Sequence, residues 1–96
     1  MFVVFLRFSG DKGKAGQFMQ AHNAWIQRGV DDGVFLVVGS LLPNAGGAIV
    51  AYNTTLADLQ QRVTSDPFVE HGVVSPEVLE IKPNRTDQRL SFLLAG

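Results

Sequence analysis

Apolar and polar positions alternate between two periods along this chain, and the switches between them outline the elements. Residues 2–8, FVVFLRF, form a nearly unbroken run of β-branched and aromatic side chains, which predicts a strand buried on both faces. The turn SGDKGK (9–14) follows, with Gly10 and Gly13 as breakers. From 14 to 28 the period lengthens to that of a helix. Phe18, His22, Trp25, Ile26 and Gly29 fall on one side, while Gln17, Gln20, Asn23 and Gln27 fall on or near the other. Gly29 is a natural helix stop.

After the polar turn DDG (31–33), VFLVVGSL (34–41) predicts a second strand without clean alternation. PNAGG (43–47) reads as a hairpin connection and AIVAY (48–52) as the return strand. Thr54 or Thr55 can cap a helix over 56–64, with Leu56, Leu59, Gln60 and Val63 on one face. SDPF (65–68) opens a turn or short helix, because Asp66 is a good N-cap and Pro67 suits the first helical position. EVLEI (77–81) alternates as a last strand that Pro83 ends, and SFLLA (91–95) is an apolar tail that needs a surface to pack on.

The resulting order, β-α-β-β-α-β, predicts an α+β ferredoxin-like fold: a four-stranded antiparallel sheet with two helices on one face. Two helices cover only that face, yet strands 2–8 and 34–41 are apolar on both faces. The open face therefore calls for an apolar partner, and a second copy of the chain is the simplest one. The expectation is a homodimer with two sheets packed face to face.

Composition narrows the function classes. Ninety-six residues suit a single domain, 1–96, with 84–96 as a C-terminal tail. The net charge is −1 and the basic residues are scattered, so nucleic acid is not an expected partner. The chain has no cysteine, which excludes disulfides, thiolate zinc sites and a cysteine nucleophile, and fits a reducing cytoplasm. Two histidines without other soft ligands predict no metal. The opening segment lacks a basic region and a cleavage site, and no run reaches the roughly 20 apolar residues of a membrane span. A cytoplasmic protein without membrane contact is expected. Gly39–Gly47 is not a phosphate loop, since its glycines are wrongly spaced and no Lys-Ser/Thr pair follows.

Few side chains remain for chemistry. With about 100° per residue, His22 lies about 40° from Phe18 and about 60° from Trp25, on the sheet-facing side of its helix. An imidazole there is either a hydrogen-bonded core residue or a general acid or base. Asp66 is either a plain cap or, because both helices lie on one sheet face, a partner for His22 that holds one tautomer and stabilises the charged ring. Gly39 and Ser40 end a strand, or line a pocket in which the glycine admits a ligand and the serine donates a hydrogen bond. Arg7 interrupts the first strand; it sits at the sheet edge or binds a ligand oxygen. Trp25, Pro43 and Phe68 are candidate walls of the same pocket. His71 is expected in a solvated loop.

The residues AHNAWIQRG (21–29), GVFLVVGSLLPNAGGAIV (33–50) and SDPFVEHGVVSPEVLEIKP (65–83) together resemble the YciI-like (YCII-related) proteins, over about residues 1–83. The resemblance implies a dimeric α/β barrel, similar in shape to muconolactone isomerase, and a His–Asp pair that maps onto His22 and Asp66. His71 and the tail inherit nothing from it. The activity it implies is cofactor-independent acid/base chemistry on a small phenolic ring, with dehydrochlorination of a chlorinated hydroxyhydroquinone to a hydroxybenzoquinone foremost. The alternatives are lactone isomerisation by the same pair, or a non-catalytic dimeric module that binds a small ligand.

Overall fold

A computed structural model of the chain describes residues 1–95. Strand β1 (Phe2–Phe8) leads through a 3-10 turn (Lys12–Lys14) into α1 (Ala15–Asp31), and β2 (Phe35–Leu41) and β3 (Gly46–Ala51) form a hairpin. Helices α2 (Leu56–Thr64) and α3 (Pro67–Glu70) precede β4 (Val74–Glu80), and a 3-10 stretch (Gln88–Leu94) lies in the tail. The sheet order is β2-β3-β1-β4, with antiparallel pairing throughout. The fold is α+β and ferredoxin-like, with the second helical region divided into α2 and α3.

Strand pleating decides what faces the helices. Phe2, Val4 and Leu6 of β1 are buried, as are Ile49 and Ala51 of β3, and they join Trp25, Leu59, Val63 and Phe68 in one core. Burying such side chains supplies roughly 1.5–3 kcal/mol each. The expectation that residues 2–8 form a strand buried on both faces is corrected for the single chain. In β1 only alternate residues are buried, and β2 is an edge strand whose Val37 is 55% exposed. Helix α1 also passes its expected stop. Gly29 lies two residues before its end and is buried, because a Cβ there would overlap the Phe35 ring. The glycine permits close helix–strand approach instead of ending the helix. β4 begins earlier than its alternation suggested and contains Pro76, which an edge strand tolerates.

The caps follow the local sequence. Thr55 accepts a hydrogen bond from the Asp58 amide, and Asp66 accepts one from the Phe68 amide, with Pro67 opening α3. In the tail, the Asp87 carboxylate is held below its ordinary pKa by hydrogen bonds from the Arg89 side chain and amide. The Phe92 ring lies 5.3 Å from Tyr52, so the tail packs at one end of the sheet. No helix among the described residues is long and apolar enough to cross a membrane.

Candidate active site

The helical period of α1 turns His22 toward the sheet, where it is 9% exposed. The turn between α2 and α3 brings Asp66 to it. Ser65 caps one helix and Asp66 starts the next, so the Asp66 side chain enters the core with 0% exposure. His22 Nδ1 and Asp66 Oδ1 are 2.7 Å apart across 44 positions of sequence. The same Oδ1 accepts the Phe68 amide at 3.0 Å. Asp66 therefore performs both tasks open to it in the sequence, cap and histidine partner. Its Oδ2 is buried with no hydrogen-bond partner among the described residues. A buried oxygen left so is costly, which makes the short contact to the imidazole the more important one for holding the carboxylate in place.

Ring packing fixes the imidazole plane. Phe68 stacks on His22 with centroids 3.9 Å apart and planes 5° from parallel, while Trp25 lies 5.9 Å away on α1. Because Nδ1 is committed to Asp66, Nε2 is the nitrogen left for a molecule beside the ring.

His22 opens onto a cavity of about 310 Å³ between α1 and the sheet. This is at the small end of the range for ligand sites. Phe68, Leu6 and Ile26 supply apolar walls, and Ser40 and Gly39 border it from β2. Asn23 from α1 and Gly46 and Gly47 from β3 complete the lining that concerns chemistry and shape. The cavity thus brings together His22, Phe68, Gly39 and Ser40 of the residues singled out in the sequence, with Asp66 behind the histidine.

Three others lie elsewhere. Arg7 follows Leu6 in β1, so pleating turns it to the opposite face of the sheet, where it pairs with Glu77 at 2.6 Å and covers the Phe5 ring at 4.5 Å. Its expected contact with a ligand oxygen is corrected. Trp25 is 2% exposed, donates its indole N–H to the Arg62 carbonyl at 2.9 Å and packs edge-on against Phe35. It supports α1 from within the core and borders a separate polar groove beside α2. Pro43 is exposed in the β2–β3 loop, away from the cavity. His71 is exposed at the end of α3, and its ring also stacks on Phe18 of α1 at 3.9 Å.

Asn23 and the glycine pair are the lining residues that the sequence pattern misassigned. Helical periodicity put Asn23 with the polar face, and the Gly-Gly pair read as hairpin turn. A glycine inside a strand can mark the close approach of a ligand or another backbone, but in sequence this pair reads the same as a hairpin turn. Among the described residues, no three His, Cys, Asp or Glu side chains gather where they would hold a metal ion.

Comparison with known proteins identifies the family and the fold. No curated protein matches the chain. Among solved structures, it is similar to 5-chloro-2-hydroxyhydroquinone dehydrochlorinase (TftG) from Burkholderia phenoliruptrix, determined in complex with 2,5-dihydroxybenzoquinone. The TM-score is 0.69 at 18% identity, over 85% of this chain and 94% of that one, a likeness of fold. The family model of the YCII-related domain matches residues 1–84, the whole sheet and all three α-helices. The chain belongs to the YCII-related domain family.

Proposed function

We propose that the protein is a cofactor-independent enzyme that moves protons on a small phenolic ring, with His22 as acid and base and Asp66 as its positioning partner. The observation that carries this reading is the 2.7 Å contact between His22 Nδ1 and Asp66 Oδ1, with the imidazole on the wall of a small, largely apolar cavity. Asp66 orients the ring and stabilises its charge when it holds a proton, as in other His–Asp pairs. Positioned acid–base help of this kind contributes typically about 10²–10⁴-fold in rate.

The reaction that suits the site best is loss of HCl from a chlorinated hydroxyhydroquinone. His22 Nε2 takes a proton from a ring hydroxyl and delivers it to the chlorine-bearing carbon. A second hydroxyl then loses its proton, its electrons pass through the ring, and the C–Cl bond breaks with chloride taking the bonding pair. One hydroxyl proton becomes a ring hydrogen and one leaves with chloride, so the product is a hydroxybenzoquinone and no oxidant is needed. Ser40 and Asn23 bind ring oxygens, and Phe68 stacks beside the base. The dehydrochlorinase of similar fold supports the substrate class by the quinone it holds.

The active form is a homodimer. The sheet face away from the helices carries Val3, Phe5, Val37, Val50 and Leu79, with Val37 55% and Leu79 44% exposed. A second copy would cover this apolar face.

Chloride release from a panel of chlorinated hydroquinones and hydroxyhydroquinones tests the reaction. Release by the wild type and its loss in His22→Ala are expected. Absence of release from every compound would overturn the dehydrochlorinase reading and leave lactone isomerisation or ligand binding to be assayed.

A further inference from the structure

Gly46 and Gly47 are adjacent glycines in β3, and their circumstances differ. Gly46 has φ +126°, a conformation that L side chains rarely adopt, and a Cβ there would collide with the Leu6 carbonyl oxygen. Its glycine is required by the backbone. Gly47 has no positive φ. A Cβ there would meet only the Gly39 carbonyl oxygen, at 3.3 Å, across a pairing with the exposed edge strand β2. Its φ angle does not require glycine, and the 3.3 Å contact asks the edge strand to give by only a few tenths of an ångström, whereas glycine in a strand interior weakens the strand.

The direction of the missing side chain supplies the explanation. Gly47 is two residues from buried Ile49 and pairs with buried Leu6, so its Cβ would point to the helix side of the sheet. Gly47 lines the cavity opposite α1, which carries His22. We infer that Gly47 is a specificity-determining residue: its bare backbone is the floor on which a ligand ring lies, and the space left by its side chain sets what can reach His22. The inference deepens the proposed function and rests on it for the ligand's class, whereas the role of Gly47 in opening the way to His22 stands on geometry alone.

The experiment separates the two. Carbethoxylation of the histidines by diethyl pyrocarbonate is followed residue by residue by mass spectrometry in wild type, Gly47→Ala and Gly47→Val. Exposed His71 is the internal control, and circular dichroism reports folding. In the wild type His22 reacts, and 2,5-dihydroxybenzoquinone protects it. Gly47→Val slows modification of His22 by about tenfold or more, because the valine side chain projects from the sheet into the cavity onto which His22 opens. Gly47→Ala has a smaller effect in the same direction, and His71 reacts alike in all three proteins. Equal His22 rates in wild type and Gly47→Val, an unreactive wild-type His22, or failure of both variants to fold would each overturn the inference. Slowing by Gly47→Val without protection by the quinone would sustain Gly47 as the floor and count against the phenolic substrate class.

Discussion

His22 and Asp66 divide the work of the site between them. The carboxylate is wholly buried and shares one oxygen between an imidazole and the first amide of α3, so changes at this residue have two separable effects. Asp66→Asn keeps an oxygen for the Phe68 amide, while Asp66→Ala removes it. Urea denaturation should find Asp66→Ala less stable than Asp66→Asn by about 1 kcal/mol, the usual worth of an N-cap. Turnover should fall in both. His22→Ala should lower kcat by about 10²–10⁴-fold with the folded signal retained. A variant that loses stability while keeping its activity would make His22 a packing residue. Arg7 offers the contrasting case. It is paired with Glu77 and about half exposed, on the sheet face away from the cavity. Arg7→Ala should leave substrate affinity unchanged, as a titration of 2,5-dihydroxybenzoquinone against both proteins would establish.

Each element's position is set by one or two close contacts. Helix α1 rests on β2 because Gly29 has no side chain beneath the Phe35 ring. Gly29→Ala improves helix propensity but overpacks this contact, and should cost about 1–3 kcal/mol in equilibrium unfolding. A stabilised variant would mean that the helix and strand separate without penalty. The α2–α3 corner matters for the same reason. Thr55 caps α2, Asp66 caps α3, and the two-residue turn between the helices, Ser65 and Asp66, directs the carboxylate inward. Two aromatic pairs, His22 on Phe68 and Phe18 on His71, then hold α3 against α1. The site is thus built on packed helices, with the cavity wall at β2 supplied by an edge strand.

For the molecule as a whole, the open sheet face is the feature that a lone chain leaves unresolved. Phe5 is at its centre in β1, half-buried among Ala48 and Glu77 on neighbouring strands. Phe5→Glu places a charge in the proposed dimer contact without touching the helix-packed core. Sedimentation equilibrium should find the wild type dimeric and this variant monomeric. A wild type that sediments as a monomer would refute the dimer. The tail carries its own apolar side chains, Leu90, Phe92 and Leu94, each between 41% and 47% exposed, beside the same end of the sheet as Tyr52.

The order of elements was legible in the sequence because each signal is local. A period near 3.6 put His22 on the buried side of α1, and Asp66-Pro67 marked the start of α3, since caps and helical faces depend on residues only a few positions apart. The resemblance to YCII-related proteins paired those two residues, but no spacing rule could bring them to 2.7 Å across 44 positions. That distance depends on how α1 packs against the α2–α3 corner. The side of the sheet taken by Arg7 was likewise open, because a run of apolar residues hides the phase of the pleat until one face meets helices. The apolar bulk of Trp25 and the position of Pro43 after Gly39 and Ser40 suggest pocket walls, but the packing of α1 and the course of the β2–β3 loop turn both away from the cavity. The floor at Gly47 was the least legible, since a hairpin glycine and a cavity glycine are identical in sequence. Only the register of β3 against β1 and β2, which points the missing side chain toward α1 and His22, tells them apart.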